Sequence, residues 1–188
     1  LGNRSAIDWV LDQHKEKKIK DPTVAAKFNT YRFADHRKHV IDLLARVPLA
    51  APRTVVDLGC GAGNVTRLIH ERWPRASIVG VDNSATMLAR ARETVADLPN
   101  VAFVSGELDA WQPPAPVDLV YSNAALHWLP DHATLIARVA AMVAPAGVLA
   151  VQMPDNLSAP SHQLIADLAQ SARWRAQLGA QVRGAATA

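Results

Sequence analysis

At 188 residues the chain fits one domain of ~100–200 residues, and its 49% hydrophobic and 20% charged content is a globular balance. A formal charge of +3 is too small a basic excess to imply nucleic acid by itself. The single cysteine, Cys60, excludes an internal disulfide, and no run approaches the ~18 apolar residues of a membrane span or forms an apolar signal core.

In chain order, residues 1–47 are polar and basic, with an apolar patch at Trp9-Val10-Leu11, a charge run from His14 to Lys20 and a break at Asp21-Pro22. The spacing of Val40, Leu43, Leu44 and Val47 predicts an amphipathic helix over His36–Val47, ended by Pro48 and Pro52. From there the pattern changes to short β-branched runs alternating with helical ones. Strands are predicted at Thr54–Leu58, Ser77–Val81, Val101–Val104, Val117–Tyr121 and Val148–Gln152. Helices are predicted at Asn64–Glu71, Ser84–Ala96 and Asp131–Val143. Continuous apolar strands separated by helices predict an α/β fold: a doubly wound, mostly parallel sheet covered on both faces. After Gln152 a Pro/Asn/Ser loop leads to a helix capped by Ser161, with Leu164, Ile165, Leu168 and Ala172 on one face. Beyond Gly179 the composition is mostly Gly, Ala and Thr. The expected organisation is an atypical helical extension at 1–47, a ligand-binding domain at 48–160 and a C-terminal helix with tail at 161–188.

The residues that carry chemistry sit where the strands end. Asp57-Leu58-Gly59-Cys60-Gly61-Ala62-Gly63 follows the first strand and opens a helix, so its glycines allow a sharp turn and close approach of a ligand to the backbone. Asp57 just before the glycines repels a pyrophosphate but not a cation. Asp82, at the end of Val79-Gly80-Val81-Asp82, is placed to take both hydroxyls of a ribose. Glu107, after the third strand, can accept a hydrogen bond from an adenine amine. Cys60 has no neighbour that would activate a thiolate and reads as structural. No metal site is expected.

These motifs, with Gly80-Val81-Asp82-Asn83-Ser84 and Ser122-Asn123-Ala124-Ala125-Leu126-His127-Trp128-Leu129, resemble those of the class I S-adenosylmethionine-dependent methyltransferases. Within that superfamily, several segments are similar to the trans-aconitate methyltransferases. They are Leu43-Leu44-Ala45-Arg46-Val47-Pro48, Trp111-Gln112-Pro113, Trp128-Leu129-Pro130-Asp131-His132 and Gly147-Val148-Leu149-Ala150-Val151-Gln152-Met153-Pro154-Asp155-Asn156. The resemblance spans roughly residues 43–162. It implies S-adenosylmethionine as cofactor, with Asp57, Gly59, Gly61 and Gly63 holding its methionine part, Asp82 its ribose and Glu107 its adenine. Glu107 is one methylene longer than the family's usual Asp. Asn123 would border the sulfonium, with His127 and Trp128 as further substrate-side candidates. The implied reaction is methyl transfer to a carboxylate of a small tricarboxylic acid, trans-aconitate, giving a monomethyl ester in the cytoplasm.

The ends of the chain depart from that pattern. The resemblance implies seven strands, the last two an antiparallel edge pair, whereas nothing after Ser161 reads as a strand, so the C-terminal part of a substrate pocket is expected to be missing. Asn3-Arg4-Ser5-Ala6-Ile7-Asp8-Trp9-Val10 and Lys27-Phe28-Asn29-Thr30-Tyr31-Arg32-Phe33-Ala34-Asp35 instead resemble the C-terminal tail of restriction-system helicases, although no Gly-x-x-x-x-Gly-Lys-Ser/Thr loop occurs. Alternative readings are a non-catalytic S-adenosylmethionine-binding fold, a nucleic-acid-associated module and an NAD-dependent oxidoreductase. Against the last stand the spacing of Gly59-x-Gly61-x-Gly63 and the charge of Asp57. Oligomeric state is not legible.

Overall fold

The computed structural model describes residues 37–154 and 160–178. The Trp9 patch, the His14–Lys20 run, the helicase-tail resemblance and the tail after Gly179 lie outside the described residues. The chain divides into two compact units, residues 34–154 and residues 1–33 with 155–188.

The first unit holds one five-stranded, wholly parallel sheet of order β3-β2-β1-β4-β5. The strands are β1 (Thr54–Leu58), β2 (Ser77–Asp82), β3 (Val101–Ser105), β4 (Val117–Asn123) and β5 (Val143–Gln152). Residues 37–46 form helix α1, followed by α2 (Asn64–Arg72), α3 (Ala85–Thr94), a short 3₁₀ segment (Leu126–Trp128) and α4 (His132–Ala140). The order reverses between β1 and β4. The chain winds outward through β2 and β3, then returns to the other side, which opens a crevice beyond the carboxyl ends of those two strands.

Alternation along β1 divides the core. Val55 joins Ile69 and Trp73 of the α2 region, Val40 and Leu44 of α1, and Tyr121 of β4. Val56 and Leu58 join Leu135 and Val139 of α4 on the opposite face. The amphipathic spacing of α1 therefore has a physical partner: its apolar stripe is part of the sheet's own core. Three hydrogen bonds fix that helix and its exit. Tyr121 Oη donates to Val40 O at 3.3 Å, Arg72 Nη2 to Val47 O at 2.8 Å and Trp73 Nε1 to Leu49 O at 3.1 Å. Arg72 also stacks 4.5 Å over the Trp73 ring.

Helix starts follow their caps. Ser84 accepts from Met87 N at 3.3 Å ahead of α3, and Asp131 accepts from Thr134 N at 3.3 Å ahead of α4. The largest difference from the sequence-based elements lies between α4 and β5. Periodicity extends the helix to Val143, but the helix stops at Ala140 and Val143 already pairs with Val117. Pro145 and Ala146, the latter at φ 64°, then bulge the strand before Val148 resumes register against Leu119. An apolar run with a buried start reads equally as helix end or strand, and only pairing decides.

In the second unit the described residues form α5 (Pro160–Gln170) and α6 (Arg175–Leu178). Proline occupies the first helical position, so α5 opens one residue before the predicted cap Ser161. Leu164, Ile165 and Leu168 stand exposed, and Ala169 is the buried side chain.

Ile69, fully buried between α2 and the sheet, tests this packing. Ile69→Ala is expected to lower unfolding free energy by about 2–5 kcal/mol, read by urea denaturation.

Candidate functional site

The crevice at the reversal of strand order is built by the turns after β1 and β4. Residues 59–63 turn sharply because Gly59, Gly61 and Gly63 all adopt positive φ, at 84°, 52° and 79°. The three serve different ends. A Cβ on Gly59 would lie 2.2 Å from Ala125 Cβ, so this glycine lets the turn after β1 seat against the turn after β4. A Cβ on Gly63, the residue capping α2, would lie 3.0 Å from Ala91 Cα, so this one brings α2 against α3. Over Gly61 nothing lies within 4 Å, and that face is open to an incoming ligand.

Backbone bonds tie the turn to β2: Gly59 N donates to Val81 O at 2.8 Å and Cys60 N to the same oxygen at 3.0 Å. Asp82 completes the attachment. Its Oδ2 accepts from Gly61 N and its Oδ1 from Ser84 N, both at 2.9 Å. The carboxylate is thereby aimed at the crevice rim by two main-chain donors, and each oxygen keeps a second acceptor direction. Beyond β3, Glu107 Oε2 accepts from Asn83 Nδ2 at 3.0 Å. Asp82 and Glu107, predicted independently, are thus joined through the intervening Asn83.

Asp57 sits lower. It is 1% exposed, beneath the glycine turn, and Thr66 Oγ1 of α2 donates to its Oδ2 at 2.6 Å. Burial raises its pKa to about 7; the Thr66 hydrogen bond opposes that rise and the charge of Asp82 adds to it. Cys60 is buried, and burial together with Asp57 and Asp82 pushes its thiol up, away from reactivity.

Asn123 ends β4, half-buried, and Ala124 N donates across to Gln152 O at 2.9 Å. Ala124 then takes φ 52°, an unfavourable conformation for a residue with a Cβ. This sharp corner brings Ala125 onto Gly59. The 3₁₀ segment follows, where the His127 and Trp128 rings lie 4.6 Å apart and Trp128 is 48% exposed. Trp111 is partly buried against the core and covers Gly106. Among the described residues no group of His, Cys, Asp and Glu is arranged to hold a metal ion. No helix there is long and apolar enough to cross a membrane.

Sequence reasoning missed Thr66, Asn83 and Arg138. Asn83 directly follows Asp82, and Thr66 lies three residues before Ile69 on the inward stripe of α2, so both carried a positional signal. Arg138 carried none, because its partners are backbone atoms.

The buried carboxyl makes stability pH-dependent. An unfolded Asp titrates near about 3.9, whereas Asp57 titrates near 7 when folded. Between these values the folded chain holds a proton that the unfolded chain has released. This contribution to stability is therefore full below about pH 4 and is lost as pH rises towards 7. The denaturation midpoint of the ligand-free protein is expected to decline across that window, and Asp57→Asn, which can still accept from Thr66, should flatten the decline.

Residues 55–147 match the family described as methyltransferase domain. The chain is 48% identical over 158 residues to a trans-aconitate 2-methyltransferase of Acidovorax sp. (strain JS42), covering 84% of this chain and 58% of that one. It is 52% identical over 149 residues to the enzyme of the same name from Methylobacterium radiotolerans, covering 79% of this chain and 56% of the relative. The chain thus spans a little over half the length of these relatives. Among solved structures, an S-adenosylmethionine-dependent methyltransferase from Mesorhizobium loti superposes with a TM-score of 0.53 at 36% identity, covering 60% of this chain and 51% of that one. Sheet order, glycine turn and these relationships agree, and residues 55–147 of the chain belong to the methyltransferase-domain family.

Proposed function

We propose that this chain binds S-adenosylmethionine and serves methyl transfer to a carboxylate of a small tricarboxylic acid, trans-aconitate, giving a monomethyl ester. One observation carries the reading: the open face of Gly61 stands at the reversal of strand order, with carboxylates at the ends of three neighbouring strands, Asp57, Asp82 and Glu107. Such a crevice favours a cationic ligand with ribose hydroxyls and an exocyclic amine, and opposes a pyrophosphate. The trans-aconitate substrate rests on the names of the relatives.

In this reading Gly59, Gly61, Gly63 and the field of Asp57 receive the methionine end. Asp82 accepts from the ribose hydroxyls and Glu107 from the adenine amine. The cofactor supplies an activated methyl group on a sulfonium. A substrate carboxylate is already ionised at neutral pH, so the protein need not remove a proton from it. What the chain supplies is placement and exclusion of water. Asn123, at the corner after β4, borders the reacting centre. Trp128 forms a wall, and His127 is a donor for a substrate carboxylate. A cytoplasmic location goes with this cofactor, and neither nucleic acid nor membrane has a part in the reading.

Calorimetric titration with S-adenosylmethionine, using NAD as control, tests the cofactor half. Binding of the first alone is expected; binding of NAD alone would overturn the reading. Asp82→Asn removes a charged acceptor of two backbone donors and is expected to weaken cofactor binding about ten- to hundredfold. Transfer of labelled methyl to trans-aconitate, with the ester identified by mass spectrometry, tests the substrate half; labelling of another acid in its place would reassign the substrate.

A further inference from the structure

The segment after β3 is a compact turn. Gly106 N donates to Asp82 O at 3.1 Å, and Glu107 O accepts from Ala110 N at 3.0 Å and Trp111 N at 2.7 Å. The Glu107 side chain is exposed, and its recorded side-chain bond is the one from Asn83. The direction of its carboxylate is therefore set by that bond together with the backbone that carries it.

That backbone is gripped from helix α4. Arg138 of α4 donates through Nη1 to Trp111 O at 3.1 Å and through Nη2 to Leu108 O. The recorded hydrogen bonds of this guanidinium, among the described residues, run to those two carbonyls alone. A planar fork with fixed donor directions constrains two acceptors at once, which a flexible ammonium does not. Arg138 is itself steadied, since Leu135 and Val139 on the same helix are buried in the core. Leu108 packs in that core too, and its Cδ1 lies 3.4 Å from where a Cβ on Gly59 would be. A shift of the turn would thus be felt at the glycine turn as well.

We propose that Arg138 is a positioning residue for base recognition: by clamping the carbonyls of Leu108 and Trp111 it holds Glu107 in the direction that selects a 6-amino purine. This rests on the reading of Glu107 as the adenine acceptor. Arg138 touches no ligand in this scheme. It acts through the turn, and it links the adenosine side of the crevice to the helix that follows the substrate side.

The test compares affinities for S-adenosylhomocysteine and its 6-oxo analogue, S-inosylhomocysteine, by calorimetry on the full chain. The unaltered protein is expected to prefer the amine by about tenfold or more. In Arg138→Gln that preference should fall at least about fivefold, and in Arg138→Lys, which keeps the charge but not the fork, by an intermediate factor. Equal loss of affinity for both ligands, with the preference intact, would mean a merely structural role and would overturn the proposal. If the Gln variant does not fold, an undiminished preference in the Lys variant overturns it equally. Glu107→Ala separates the two levels. If it keeps the preference, the adenine reading of Glu107 fails and the proposal with it; if it loses the preference while Arg138→Gln keeps it, only the role of Arg138 falls.

Discussion

Two turns that belong to different strands meet with no room for a methyl group between them. Gly59 after β1 and Ala125 after β4 approach so closely that a Cβ on the glycine would overlap that of the alanine. The contact requires positive φ on both sides, at Gly59 without cost and at Ala124 with the strain of a side-chain-bearing residue, of order 1–2 kcal/mol. It closes the floor of the crevice at the one place where the sheet changes direction. The open face of Gly61, the height of Asp82 and the corner at Asn123 all follow from that floor. Backbone strain concentrated at such a point is consistent with a geometry held for ligand placement rather than for stability.

The three acidic side chains along the crevice differ in what surrounds them more than in chemistry. Asp57 is enclosed, answers to one hydroxyl and holds its proton far above the usual carboxylate range. Asp82 is half-buried and fixed by two amides, with acceptor capacity left over. Glu107 is exposed and bound by a side-chain amide, so its aim depends on the segment beneath it. Depth, intermediate fixation and exposure give a buried field, a rigid acceptor and an adjustable one. The charge of Asp82 adds to the rise at Asp57, and a cation in the crevice would ease that opposition.

Much of this was legible in the sequence because it depends on local rules. β1 spans the predicted residues, and β2 and β3 exceed theirs by one residue each, since short apolar runs rich in β-branched residues and bounded by turn residues read as strands. The glycine turn and the acids after successive strands were visible by position, because an open α/β sheet binds ligands at its carboxyl ends. What escaped was contact between segments far apart. No spacing rule reports that Gly59 is needed for Ala125, that Asp57 faces Thr66, or that Arg138 is bound to carbonyls thirty and twenty-seven residues away. Periodicity also failed at Val143, where one apolar residue serves a helix end and a strand start with equal ease, and pairing with Val117 settles it.

That same region shapes how the sheet ends. β5 pairs with β4 on one side and is an outer strand of the described sheet. An outer strand offers a row of unsatisfied amides and carbonyls to any other chain that comes alongside. Pro145 removes one donor from that row, and the left-handed turn at Ala146 throws the first half of the strand out of line with the second. Regular edge is left only over Val148–Gln152, about half the strand's length. The bulge thus works as a gatekeeper: it shortens the template on which a foreign strand could grow, and confines whatever pairs there to the stretch nearest the crevice.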